Sequence, residues 1–309
     1  MSGAAEHNYQ NPGAIWNRWL LLGILVAMWG SAFGLITVAL REIPAVSLVG
    51  FRLLTGWLIL LPVAWFRGIR FKSALRVWGY FALIAVMGNC LPFYLIAWGQ
   101  QSVPSGAAGI LMSITPLVVV VLAHFFLPGE RASLGKLLGV LAGFLGIWML
   151  MAPSLDRGLL DDPGLRWRQL GILTGAICYG LTIVIARRHP AQNPLQAATA
   201  VLGISAALML GPALVAMPAG RWGGLNEQTL WSLLLLGPLC TGYATVVYFQ
   251  LIRAAGATFL SLINYLIPLW AVLAGAIFLH ERLHWSAWMA MLVVLTGVTL
   301  AGRRARGAS

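Results

Sequence analysis

One apolar stretch occurs twice in this chain, and the repetition limits the architectures open to it. Residues 105–131 read SGAAGILMSITPLVVVVLAHFFLPGER, and residues 257–282 read ATFLSLINYLIPLWAVLAGAIFLHER. Each copy begins with small residues, runs apolar past a proline and stops at Glu-Arg. Pro116 and Pro268 lie 152 positions apart and Glu130 and Glu281 lie 151 apart, so a gap of one residue keeps the copies in register. A period of about half the chain is the mark of two similar halves. In a chain this apolar, the pattern points to a transporter built from structural repeats.

Each copy is long enough to cross ~30 Å of hydrocarbon as a helix of ~20 residues. The rest of the chain has the same character: 60% of its 309 residues are hydrophobic and 9% are charged, with a mean hydropathy of +0.86. That is too little charge for a soluble surface. Hydropathy predicts ten spans, at 19–40, 44–66, 76–98, 104–127, 134–152, 169–187, 194–217, 230–251, 256–279 and 285–302. The longest hydrophilic break falls mid-chain. The predicted fold is an all-α integral membrane protein of ten transmembrane helices, arranged as two inverted five-helix repeats. Its parts are an N-terminal segment (1–18), a first repeat (19–152), a linker (153–168), a second repeat (169–302) and a basic tail (303–309).

The net charge of +12 would suggest nucleic acid in a soluble protein. Here the basic residues flank apolar spans, where they set topology instead. Thirteen Lys and Arg fall on the side that holds both termini and six on the other, which predicts a multi-pass protein with both termini in the cytoplasm. Five spans is an odd number, so the second half is inverted relative to the first. The turn at Glu130 then faces inside and the turn at Glu281 outside. Two inverted halves can open a central site to one side and then to the other.

Several polar and aromatic residues sit where hydrocarbon would penalise them or where a solute can meet them. Arg52 is the charged residue set deepest in a span, so it is expected to face protein or water. It either holds a substrate carboxylate or anchors a neighbouring helix; the second half has Val201 and Leu202 in its place. His124, near the end of the fourth span, either titrates during transport or serves as an interfacial hydrogen-bonding group. Pro116 and Pro268 are expected to kink their spans, and Glu130 and Glu281 to form terminal charge networks that shape or gate the carrier. Trp29, Asn89, Phe93, Tyr94, Tyr179, Tyr243, Tyr248, Asn264 and Trp270 are candidates for a pocket in which rings stack on a solute and amides orient it. Gly30/Gly34, Gly139/Gly143 and Gly171/Gly175 have the four-residue spacing that allows close helix crossings.

Other chemistry has little support. The chain has no phosphate-binding loop ending in Lys-Ser or Lys-Thr, so no ATP-driven engine and no ATP-binding subunit are implied. Cys90, Cys178 and Cys240 lie in apolar stretches without metal-ligand spacing. No cofactor, metal site, catalytic residue or nucleic-acid partner is expected, and the chain is read as no enzyme. The expected partners are a small organic solute and membrane lipid. A receptor or interaction scaffold is the alternative class, disfavoured by the inverted repeat and the lack of a sizeable soluble domain.

Trp29-Gly30, FRLLTG at 51–56 and the two proline-to-glutamate stretches resemble the drug/metabolite transporter superfamily, specifically its bacterial EamA-like group. His280 departs from the glycine that pattern has before the second glutamate. The resemblance covers essentially the whole chain. It implies a ten-helix exporter of small metabolites in the bacterial inner membrane, with neutral or aromatic amino acids the favoured substrates. Its central cavity would draw on spans one, three, four, six, eight and nine. Non-amino-acid metabolites or drugs, carried by export or facilitated transport, are the alternative.

Overall fold

A backbone inside hydrocarbon must satisfy its own N–H and C=O groups, which a chain this apolar does by forming helices. The computed structural model describes residues 12–71, 74–103, 105–128, 130, 132–151, 163–188, 193–217, 223–278 and 285–302. Among these, seven helices are long and apolar enough to cross a membrane, and three shorter apolar ones complete ten spans. Their outer faces are apolar too: Leu58, Ile59, Leu141, Leu145 and Leu292 are exposed. Such a belt suits lipid and would be a liability in water.

The first two spans are continuous helices, Pro12–Ala39 and Ala45–Phe66. Span three runs as Leu75–Ala85 and Leu91–Gln100, joined through a wide π-type turn at Val86–Cys90. Span eight repeats this device, with Glu227–Leu236 and Ala244–Ala255 flanking π turns at Pro238–Tyr243. Pro92 and Pro238 have no N–H to give the helix, so a carbonyl one turn back is released in each span. Span four is broken between Ser105–Met112 and Thr115–Phe126, and span nine between Ala257–Ser261 and Ile263–Phe278. Both breaks lie N-terminal to the proline expected to cause a kink. Pro116 starts the second piece of its span, whereas Pro268 lies within a continuing helix.

Spans five, seven and ten are Leu134–Met151, Pro194–Ala216 and Trp285–Gly302. Span six, Pro163–Arg188, starts six residues earlier than hydropathy places it. Proline is preorganised for a first helical turn. The extra turn is held by Arg168, whose guanidinium lies 4.2 Å over the Trp98 ring and donates to the Trp98 carbonyl and Gln101 Oε1. A hydropathy scale sees only the charge.

Packing follows the repeat. Span two packs on its equivalent, span seven, and span five on span ten. The contact of span three with span six is matched by that of span eight with span one, and four with six by nine with one. Close approaches obey the same rule: a Cβ on Gly30 would lie 2.6 Å from the Trp270 ring, and one on Gly180 2.6 Å from Val118. These four residues are equivalent in pairs across the halves. Gly139 and Gly143 likewise admit span ten and the Tyr265 ring, and Gly171 and Gly175 face Trp98 and Ile96. Gly34 has open space beside it, so only Gly30 of that first pair serves a crossing.

Candidate functional site

Between the two halves lies a cavity with about 710 Å3 of empty space. Trp29, Phe93, Tyr179 and Tyr248 line it and also line a smaller adjoining space of about 400 Å3. They form an aromatic waist between two compartments. Trp29 and Tyr179 hold equivalent positions on spans one and six, each just before a glycine, and stack at 6.5 Å across the interface of the halves. Tyr248 lies 6.1 Å from Trp29, and Phe93 meets Tyr179 edge-on at 6.3 Å.

The π turns orient this waist. Trp29 Nε1 donates to the Cys240 carbonyl inside the π segment of span eight at 3.1 Å. In span three, the Asn89 amide donates to Ser205 Oγ of span seven at 3.1 Å, and Ser205 Oγ donates in turn to the Val201 carbonyl. Asn89 also lines the smaller compartment, so its helix-to-helix bond and its place beside the cavity coexist. Asn264 lines the larger compartment, with its amide donating at 3.2 Å to the Ser261 carbonyl exposed by the break in span nine.

Arg52 brings span two into the site. Its side chain is buried, 5% exposed, and lines the larger compartment. Nε donates to Thr241 Oγ1 at 2.9 Å, and the guanidinium lies 4.1 Å above the Phe93 ring. Thr241 is itself aimed by donating to the Leu236 carbonyl at 2.7 Å, a bond opened by the π segment. Among the described residues, no other charged residue lines either compartment. The Thr182 and Tyr248 hydroxyls, both at the smaller compartment, are buried without a hydrogen-bond partner among the described residues.

Other sequence candidates lie elsewhere. Tyr243 is half exposed on the outside of span eight, and Tyr94 borders neither compartment. Trp270 covers Gly30 and donates to Ser31 Oγ instead of lining the space. His124 is exposed at the end of span four, where Nδ1 accepts the Ala132 N–H at 3.3 Å. Glu281 lies outside the described residues. Glu130 sits at the end of the bundle where span one starts and span ten finishes. Its carboxylate accepts the Ala257 and Thr258 N–H groups at 2.9 and 3.0 Å and the Thr258 hydroxyl at 3.0 Å, and it pairs with Arg187 at 3.2 Å.

Ten spans in two inverted halves around a central cavity are the architecture of a multi-pass membrane transporter. The EamA-like transporter family matches residues 17–152 and again 166–303, and the chain belongs to that family. It is 24% identical over 287 residues to "Uncharacterized transporter YoaV" of Bacillus subtilis (strain 168), covering 90% of this chain and 95% of that one. It is 27% identical over 292 residues to "Uncharacterized inner membrane transporter YedA" of Escherichia coli (strain K12), covering 91% and 90%. A solved crystal structure superposes with a TM-score of 0.76 at 18% identity, over 92% of this chain and 96% of the other, which shows the shared fold.

Proposed function

We propose that the protein is a secondary transporter that exports small organic solutes by alternating access, with neutral and aromatic amino acids the favoured class. The observation that carries this reading is the aromatic waist. Rings from equivalent positions of two inverted halves meet at one central cavity, where rocking of the halves would hand a bound solute from one side to the other. The basic-residue bias supports a bacterial inner-membrane orientation with both termini cytoplasmic. In that orientation Glu130 and Arg187 close the cytoplasmic end, and the larger compartment extends toward the outside.

Counterflow in proteoliposomes tests the proposal. Vesicles loaded with an unlabelled amino acid should take up its labelled form saturably, and a panel of neutral, aromatic and charged amino acids should rank the substrates. A folded, oriented protein that exchanges none of them, nor any other small metabolite, would sink the reading. Repeating active assays with and without a pH gradient separates proton coupling from facilitated transport.

A further inference from the structure

We infer that Arg52 is a carboxylate-binding residue and that the cavity selects organic monocarboxylates with an aromatic or branched apolar body, whether or not they carry an ammonium group. This rests on the carrier reading and names the chemistry of its substrate.

A guanidinium has five N–H donors and no acceptor. Arg52 commits one of them: Nε to Thr241 Oγ1. Among the described residues, neither terminal nitrogen has a protein acceptor, and no carboxylate lines the cavity. Thr241 on one side and the Phe93 face on the other fix the plane of the fork. With Nε occupied, the edge formed by the two terminal nitrogens remains, and its spacing matches the two oxygens of a carboxylate. A buried charge without a partner is costly. An arriving anion supplies that partner, and the rings of Trp29, Tyr179 and Tyr248 cover its apolar body.

The same lining argues against recognition through an amine. An ammonium group would lie beside the fixed Arg52 charge with no carboxylate among the described lining residues to balance it, and the rings offer it only cation–π contact. A monocarboxylate leaves the loaded site neutral, whereas a zwitterion leaves one net positive charge in a region of low dielectric. The deaminated analogue of an apolar amino acid therefore binds at least as tightly as the amino acid.

The test uses the purified full-length chain in detergent, with quenching of its intrinsic tryptophan fluorescence as the binding signal. Four probes share one ring: phenylpropionate, phenylalanine, phenylpropanamide and phenethylamine. Phenylpropionate should bind, phenylalanine should bind no more tightly, the amide should be weaker by roughly ten- to hundred-fold, and the amine weakest. In Arg52→Gln the acid should fall to the level of the amide while the amide is unchanged. The probe series on the unaltered protein stands even where that variant does not fold. Equal binding of acid and amide, tighter binding of the amine, or no binding of phenylpropionate overturns the inference. Counterflow on the same probes separates the two readings: acid-selective binding without any exchange defeats the carrier, and exchange that ignores the carboxylate defeats the site.

Discussion

Arg187 donates from Nε to the Glu130 carboxylate at 3.2 Å and from a terminal nitrogen to the Ile252 and Arg253 carbonyls, so one side chain ties spans four, six and eight together. Glu130 meanwhile accepts the first two N–H groups of span nine. Acidic groups are favoured there because the helix end presents unpaired donors and a partial positive charge. The junction requires Gly256: its φ of +90° is in the left-handed region, and a Cβ there would sit 2.7 Å from Glu130 Oε1.

If the protein works by alternating access as proposed, weakening this latch should shift the balance between its two access states. Hydrogen bonds to charged groups are worth about 1.5–3 kcal/mol, roughly a ten- to hundred-fold change in a two-state population. In Glu130→Gln, a cysteine placed at Ile183 in the cavity should react faster with an impermeant maleimide from the face where span one starts and span ten finishes. Unchanged labelling from that face would mean that the pair is structural only.

Gly139 tests the contact between spans five and ten. A Cβ there would lie 2.5 Å from the Ala301 nitrogen and 2.7 Å from the Gly297 oxygen, and both are backbone atoms. Backbone cannot swing aside as a side-chain tip can, so Gly139→Ala should destabilise the protein by about 1–3 kcal/mol. Gly23 has open space around it, and Gly23→Ala should be neutral or stabilising by up to about 1 kcal/mol. Thermal denaturation in one detergent compares the two directly.

Ser205 links Asn89 to span seven, and its removal should leave a buried amide without a partner. Ser205→Ala is expected to cost about 1–3 kcal/mol, whereas the double change Asn89→Leu with Ser205→Ala should recover part of the loss, because no orphaned group remains. Apparent melting temperatures of Ser205→Ala, Asn89→Leu and the double variant give the comparison. A double variant less stable than the sum of its single changes would assign Asn89 another partner.

The spans were legible because membrane crossing is set by apolar length, and the boundaries of spans two, seven and ten agree with hydropathy to within a residue or two. The π turns were less so. Pro92 and Pro238 stand in plain view within GNCLP and GPLCTG, beside glycines that permit close neighbours. Hydropathy scores them as ordinary span residues. Aromatic candidates could be read for depth but not for face: Tyr243 and Tyr248 are five residues apart, yet one points outward and the other lines the cavity. For Arg52, the sequence shows a deep charge but hides Thr241, 189 positions away, which orients it. Trp29-Gly30 corresponds to Tyr179-Gly180, but a two-residue match is too short to stand out beside the proline-to-glutamate repeat.

The orphaned hydroxyl of Thr182 gives the most direct link between stability and substrate. Thr182 is 4% exposed, lines the smaller compartment and has no partner for its Oγ1 among the described residues. Valine has nearly the same shape without the hydroxyl, and removing an unsatisfied buried polar group relieves a penalty of about 1–3 kcal/mol. The empty carrier should therefore be more heat-stable as Thr182→Val. If a bound solute uses this hydroxyl, the same variant should bind it more weakly, so ligand-induced stabilisation shrinks while the unliganded melting temperature rises. Opposite movement of these two readings marks a group held in reserve for substrate. A parallel fall in both would show instead that the hydroxyl supports the packing of span six.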